Sequence, residues 1–283
     1  MKKLFGALVL LAAGSAGTWF YLAGKNPAAV SAASTPAASA VAQAQSGPLV
    51  RIALEGKYPP FEYLDQSNQL TGFNVDLANA LCKEMQVRCE ISRFDFDQLI
   101  PALNDNKADA IVASLSITEE REKLVNFSEV YSRVPGIYVA TKKAKLIWPV
   151  ITAERIKGST VGVVAKTTFD DYLTHELDSS KVTIKRFGSA DEMMAALANN
   201  QIQLVFDDSA VLGYFLKDPK NAEQFEMVGN RIDSAQWLGR GEAIALRKGD
   251  DALREKFNVA LRKLIDSGEH QQLGYKYFTL RIL

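Results

Sequence analysis

Apolar and polar positions alternate through Val50-Arg51-Ile52-Ala53-Leu54, a pattern that predicts a strand, and the pattern breaks at Glu55-Gly56-Lys57-Tyr58-Pro59-Pro60-Phe61, where two prolines end it. A helical period follows from Asn74 to Met85, then a strand beginning near Arg88. The run from Ala108 to Ala113 contains Ala110-Ile111-Val112-Ala113, short and wholly apolar as in a buried strand, and leads into a charged helical turn. An apolar strand from Gly136 to Thr141 then leads away and the alternation starts again. Strands are predicted at Thr160 to Val164, Val182 to Phe187 and Gln203 to Phe206, and helices at Thr168 to Glu176, Asp191 to Ala198 and Ser209 to Leu216. Strand and helix alternating at this interval predict an α/β fold with parallel sheets covered on both faces. Asp250 to Asp266 is an amphipathic helix with Leu253, Phe257, Leu261, Leu264 and Ile265 on one face, a packing element.

The amino terminus follows a different pattern. Met1-Lys2-Lys3 precedes an apolar run from Leu4 to Gly24 of about 21 residues, longer than the usual ~7–15-residue core of an export signal and near the ~20 that span a bilayer. Residues 1–25 therefore read as a signal peptide or a membrane anchor. Residues 26–48, dominated by Ala, Ser, Pro and Gln, read as a flexible linker that cannot bury enough apolar area to fold. Small-residue cleavage patterns occur at Ala40-Val41-Ala42 and Ala42-Gln43-Ala44, although such matches are cheap in an Ala-rich tract.

With 283 residues, 47% hydrophobic, the chain can support two modest globular lobes. The 33 basic and 33 acidic residues cancel, which argues against a nucleic-acid partner. Three of the bases, Lys2, Lys3 and Lys25, lie before residue 48, so the remainder carries about three net negative charges. Cys82 and Cys89 stand seven residues apart across a predicted helix-to-strand turn and can meet as a disulfide, which export favours, or remain as two buried thiols. No cofactor is implied, and a metal site is not expected because neither His175 nor His270 stands at ligand spacing to the cysteines.

The strongest chemical signal is Ser114-Leu115-Ser116-Ile117-Thr118-Glu119-Glu120-Arg121. Thr118 caps a predicted helix start, and Arg121 adds a planar guanidinium beside its free N–H groups. Ser114 and Ser116, alternating around Leu115, can line one side of a cleft, so the loop reads as an anion-binding corner. Alternatively, Arg121 is an ordinary surface charge in a first turn. Glu55, at a strand's carboxyl end, and Tyr58, in the next loop, stand where open α/β sheets present ligand groups, but both are also ordinary surface residues.

The loop, preceded by Ile100-Pro101-Ala102-Leu103 and Ala108-Asp109-Ala110-Ile111, resembles the amino-acid-binding family of periplasmic solute receptors from about Val50 to Phe278, and especially the branch for histidine, lysine, arginine and ornithine. The resemblance implies a two-lobed, type II periplasmic binding protein fold with two crossover strands as hinge and the ligand cleft between lobes. Residues 49–137 and 237–283 would form lobe 1 and residues 138–236 lobe 2. It implies that Arg121, with Ser114, Leu115 and Ser116, takes the ligand's α-carboxylate; that Thr168 adds a helix-start amide and hydroxyl; and that Asp208, rather than its neighbour Asp207, takes the α-ammonium. Tyr58 and Phe96 would wall the ligand side chain, with Glu55 at its cationic end, a combination of cation–π attraction and a charged hydrogen bond. A Cys82–Cys89 bridge is implied too.

The expected ligand is thus a free, basic amino acid, and the expected partner the permease of an ATP-driven (ABC) importer. The receptor is expected to be a periplasmic monomer, either soluble or tethered by an uncleaved leader. Two departures stand out. Relatives carry Gly before two small hydroxyl residues where this chain has Lys166-Thr167-Thr168, and a Gly-Thr-Gly-x-Gly-like run where it has Gly239-Arg240-Gly241-Glu242-Ala243, in which Arg240 and Glu242 are expected to pair near the hinge. No Ser/His/acid triad is visible, so the chain reads as a binding protein rather than an enzyme. Two alternatives are a dehydratase for prephenate- or arogenate-like substrates on the same fold, with Glu55 and Lys166 as acid and base, and a ligand-sensing ectodomain.

Overall fold

A computed structural model describes residues 47–278 and 281–283; the expectations for the apolar leader and for the linker up to residue 46 lie outside the described residues. Two five-stranded sheets and one small three-stranded sheet make up the strand layers. In the first sheet Leu49–Leu54 runs parallel to Arg88–Arg93, with Leu49 opposite Arg88 and Leu54 opposite Arg93, and parallel to Ala110–Ile111 on its other side. Ile52, Ala53 and Leu54 are completely buried, as a strand covered on both faces must be. Glu242–Leu246 joins this sheet antiparallel to Ala110–Ile111, and Asn126–Ser132 pairs with it on the outside.

The second sheet repeats the plan. Its order is Thr183–Phe187, Thr160–Val164, Leu204–Asp208, Gly136–Thr141 and Phe225–Ile232, with the first three parallel and the last two antiparallel to their neighbours. Gly136–Thr141 already belongs to this sheet, so the chain changes sheets over Arg133–Pro135, slightly earlier than the pattern of apolar residues suggests. Pro135 offers no N–H to a ladder, which interrupts pairing at that point. The chain returns between Ile232 and Glu242, and the two sheets with their flanking helices are the two lobes.

Five helices stand where periodicity predicts them, within a residue or so: Phe73–Glu84, Thr168–Glu176, Ala190–Ala198, Ser209–Lys217 and Asp251–Asp266; the pattern does not predict the short helices Leu99–Asn104, Pro219–Gln224 and Ala235–Leu238. Asp251–Asp266 buries Phe257, Ala260, Leu261 and Leu264, the i, i+3, i+4, i+7 stripe of a helix lying on a core. The closing helix Glu269–Tyr277 delivers Phe278 onto Phe61 and Phe73, with ring centroids 5.0 and 5.3 Å apart. Cys82 and Cys89 form a disulfide with Cα atoms 6.1 Å apart, tying Phe73–Glu84 to strand Arg88–Arg93. At the same, amino-terminal end of the parallel strands, Asp109 accepts from Arg51 at 2.7 Å and from Arg247 at 3.2 Å, binding three strands together.

Candidate functional site

One cavity collects residues from the ends of strands in both lobes. Glu55, Tyr58, Glu62, Phe96, Ala113, Ser114, Ser116, Arg121 and Glu242 line it from the side of the first sheet, and Val164, Thr167, Thr168, Phe169 and Ala190 from the side of the second. These are the carboxyl ends of Leu49–Leu54, Ala110–Ile111 and Thr160–Val164, where open α/β sheets bind ligands.

The serine loop is built for an anion. Ser114 sits in the left-handed region at φ 48°, a conformation that a non-glycine residue adopts at some strain. Its N–H donates to the Tyr131 hydroxyl at 2.8 Å, and its Oγ accepts from Asn74 Nδ2 at 3.1 Å. Leu115 points the other way, packing into the core under the loop, so it is a prop for the two serines and does not line the cavity. Thr118 caps helix Glu119–Leu124, its hydroxyl accepting from the Arg121 N–H at 3.2 Å. Arg121 Nη1 donates to the Ser116 carbonyl at 3.0 Å, and the guanidinium lies over the Phe96 ring at 5.7 Å. Desolvation pulls its pKa down to about 10, and no carboxylate among the described residues forms an ion pair with it.

The loop is also fastened to the returning crossover. Ile117 N–H donates to the Gly241 carbonyl at 2.9 Å, and Arg240 and Ala243 N–H donate to the carbonyls of Ile117 and Leu115, each at 3.1 Å. Gly239 is required for this approach: at φ 84° a Cβ would meet the Ile117 oxygen at 2.7 Å.

Glu55, which lines the same cavity, is 5% exposed, its Oε1 has no hydrogen-bond partner, and burial pushes its pKa up to about 7. Tyr58 stacks on Phe61 at 5.6 Å and donates its hydroxyl to Asp207 Oδ1 at 2.9 Å, a bond between lobes. Asp207 and Asp208 alternate on strand Leu204–Asp208, and the structure separates their roles. Asp208 caps Ser209–Lys217, Oδ1 accepting from Ala210 N–H at 2.6 Å, while Asp207 meets Tyr58. Both are buried and neither is among the residues lining the cavity.

In the second lobe Thr167, not Thr168, caps helix Thr168–Glu176, accepting from Asp170 N–H at 3.2 Å. Thr168, the first helical residue, is buried against the cavity. Lys166 takes φ 63°, a left-handed conformation that glycine adopts without strain. Its ammonium does not enter the cavity but crosses the mouth to Asp97 Oδ2 at 2.7 Å.

Two acids of the cavity are absent from the reading of the sequence. Glu62 is buried and accepts from Asn74 Nδ2 at 2.6 Å. Glu242 is 7% exposed and accepts from the Ser132 hydroxyl. It does not pair with Arg240, which reaches outward to Glu122 at 2.5 Å. The broken glycine run was the only sequence signal for Glu242; Glu62 had none. Burial raises the pKa of both acids, Glu242 to about 7. Five carboxyls, those of Glu55, Glu62, Asp207, Asp208 and Glu242, therefore face or back the cavity against the single guanidinium of Arg121. Such a site favours a ligand that presents one anionic group and an excess of cationic ones.

The chain is 38% identical over 235 residues to the L-arginine-binding protein of Pseudomonas aeruginosa, spanning 82% of this chain and 89% of that one. It is 33% identical to the lysine/arginine/ornithine-binding periplasmic protein of Escherichia coli, over 82% of this chain and 88% of the relative. Among solved structures, a Salmonella typhimurium periplasmic binding protein described for its high arginine specificity superposes with a TM-score of 0.73 at 32% identity, covering 82% of this chain and all of its own. An ancestral amino-acid-binding protein described as a precursor of cyclohexadienyl dehydratase reaches 0.71 at 27% identity, over 82% of this chain and 96% of its own. Residues 50–280 match the bacterial extracellular solute-binding proteins, family 3, and the chain is a member of that family.

Proposed function

We propose that this protein captures a free cationic amino acid, arginine, lysine, ornithine or histidine, outside the cytoplasm and delivers it to the permease of an ABC importer. The observation that carries the reading is the charge pattern of the cavity: one guanidinium with no carboxylate partner among the described residues, one unpartnered buried carboxyl and the rings of Tyr58 and Phe96 line the same space. Arg121 with Ser114, Ser116 and the start of helix Thr168–Glu176 accepts the α-carboxylate. Tyr58 and Phe96 flank the side chain, and Glu55 receives its cationic end. The acids behind Tyr58, with Asp208 among them, supply the negative potential for the α-ammonium.

The free space in the cavity is about 40 Å³, room for about three waters at ~10–15 Å³ each. An amino acid enters only when the walls part. We take residues 49–137 with 237–283 and residues 138–236 as the two moving lobes, hinged at the two crossovers. A ligand that touches both binds the closed form more tightly and shifts the balance toward it. The apolar, positively headed sequence before residue 26 supports a periplasmic receptor, either free or tethered to the inner membrane; among the described residues no helix is long and apolar enough to cross a membrane. The acid–base pair imagined for a dehydratase is not assembled, because Lys166 is held at Asp97 on the rim while Glu55 lies inside.

Calorimetric titration of the protein with the twenty amino acids and ornithine tests the reading. Tight binding is expected for one or more of the four basic ligands and weak or no binding for glutamate. Preference for an acidic or aliphatic amino acid would overturn it.

A further inference from the structure

The returning crossover carries a carboxyl into the cavity that the reading above leaves without a task. Glu242 stands opposite Ser116 in an isolated antiparallel bridge, beside the loop that holds Arg121. An α-ammonium is bonded to the same carbon as the α-carboxylate, so a ligand whose carboxylate sits on Arg121 and Ser116 places its ammonium within reach of Glu242. Resting on the amino-acid reading of the cavity, we propose that Glu242 is a ligand-contacting residue: it shares one proton with Asp208 in the ligand-free protein, and the ligand's α-ammonium displaces that proton to solvent.

Among the described residues no cation forms an ion pair with Glu242; Arg121, which lines the same cavity, donates to the Ser116 carbonyl instead. Glu242 accepts from Ser132 and stands near Ser114, and the ionisable groups bearing on it are Asp208, Glu62, Tyr58 and Tyr131, all acidic or neutral. Behind them lie Asp207, adjoining Asp208, and Glu55, adjoining Glu62. Arg240, two residues away, is committed to Glu122. Among the described residues no three His, Cys, Asp or Glu side chains are arranged to hold a metal ion, so none stands in for the missing charge.

Asp208 supplies the second, independent observation. It is completely buried, one oxygen caps a helix, and the other, Oδ2, has no hydrogen-bond partner while both acids are ionised. Two buried carboxyls in contact cannot both ionise at low cost. One proton held between them satisfies the orphaned oxygen; burial raises the pKa of both acids, that of Glu242 to about 7, and the Glu242 charge pushes Asp208 up further. When an ammonium arrives, it replaces the proton as the compensating charge. The carboxylic acid becomes a carboxylate and the proton leaves to water.

The test is a cycle between the protein and its ligand. Arginine and its analogue lacking the α-amino group, 5-guanidinopentanoate, are titrated into the wild-type protein and into Glu242→Gln. Coupled close charges predict that the variant weakens arginine at least about tenfold more than it weakens the analogue. Equal losses for the two ligands would overturn the proposal. Failure of wild-type protein to bind any basic amino acid would instead refute the amino-acid reading beneath it. Unfolding without ligand checks that Glu242→Gln is folded, and Asp208→Asn provides a second arm because asparagine still caps the helix. Arginine titrations of wild type and Asp208→Asn near pH 7, in buffers of differing ionisation heat, should show the proton released by wild type reduced in the variant. An unchanged release would assign the proton to Glu55 alone and remove the shared pair.

Discussion

Replacing Arg121 with methionine should separate affinity from stability. The guanidinium is half-buried, donates to the Ser116 carbonyl and has no carboxylate partner among the described residues, so the ligand-free protein carries a poorly compensated charge. Burial lowers its pKa from the ordinary guanidinium value to about 10, and at about 1.4 kcal/mol per factor of ten the charge costs the empty fold no more than about 3.5 kcal/mol. Methionine fills similar volume without that cost. Binding runs the other way: removing one partner of a buried, hydrogen-bonded charge pair costs about 3–5 kcal/mol, or roughly 10²- to 4 × 10³-fold in Kd. Calorimetry with arginine and urea unfolding without ligand measure the two effects on the same preparations. We expect binding to drop by at least two orders of magnitude while ligand-free stability is unchanged or higher. A Kd within tenfold of wild type would refute the carboxylate role, and a large loss of stability would show that Arg121 is chiefly structural.

Glu55→Gln should weaken arginine more than glutamine in competition titrations; equal losses would sink the assignment of Glu55 to the cationic end. The same carboxyl sets a pH dependence, because its raised pKa of about 7 means that it protonates as pH falls from 8 toward 5, and arginine affinity should fall with it. In the ligand-free protein the sign reverses: the folded state holds the proton more tightly than the unfolded chain, so this group lowers stability as pH rises from about 4.5 through 7, a trend visible in melting temperature. Opening the Cys82–Cys89 bridge by substituting both with serine should cost about 2–3 kcal/mol for so short a loop, measured by denaturant midpoint; no change would show that the bridge restrains nothing in the unfolded chain. Lys166→Ala removes the Lys166–Asp97 contact at the cleft mouth and should shift the ligand-free protein toward an expanded form in small-angle scattering, with less than about 1 kcal/mol lost for so exposed a pair.

Strands and helices with a clear period, such as Thr160–Val164 and Asp251–Asp266, were legible in the sequence because burial on one or both faces writes itself into consecutive residues. The capped helix start beside the cavity was legible too, since Thr118, Arg121 and the two serines lie within eight residues of one another. The three-stranded sheet of Lys57–Tyr58, Glu62–Leu64 and Leu70–Thr71 was not, because strands of two or three residues carry no period. Glu62 and Glu242 were missed for a different reason: they are 180 positions apart and meet only through the return of the chain. The expected Arg240–Glu242 pair failed because residues two apart around Gly241, at φ 114°, are turned to different sides, one to Glu122 and the other to Ser132. Choosing between Asp207 and Asp208 required knowing which face of their strand meets Tyr58, and adjacent identical residues hold no such information.

The three backbone bonds between Leu115–Ile117 and Arg240–Ala243 have a consequence for how such a receptor can diversify. In the proposed reading, the loop that meets an amino acid's common head is joined through main chain to the returning crossover. Side chains around the variable tail can therefore be exchanged without rewiring that joint. New preferences could be acquired one substitution at a time, each inheriting a working means of announcing that the receptor is full.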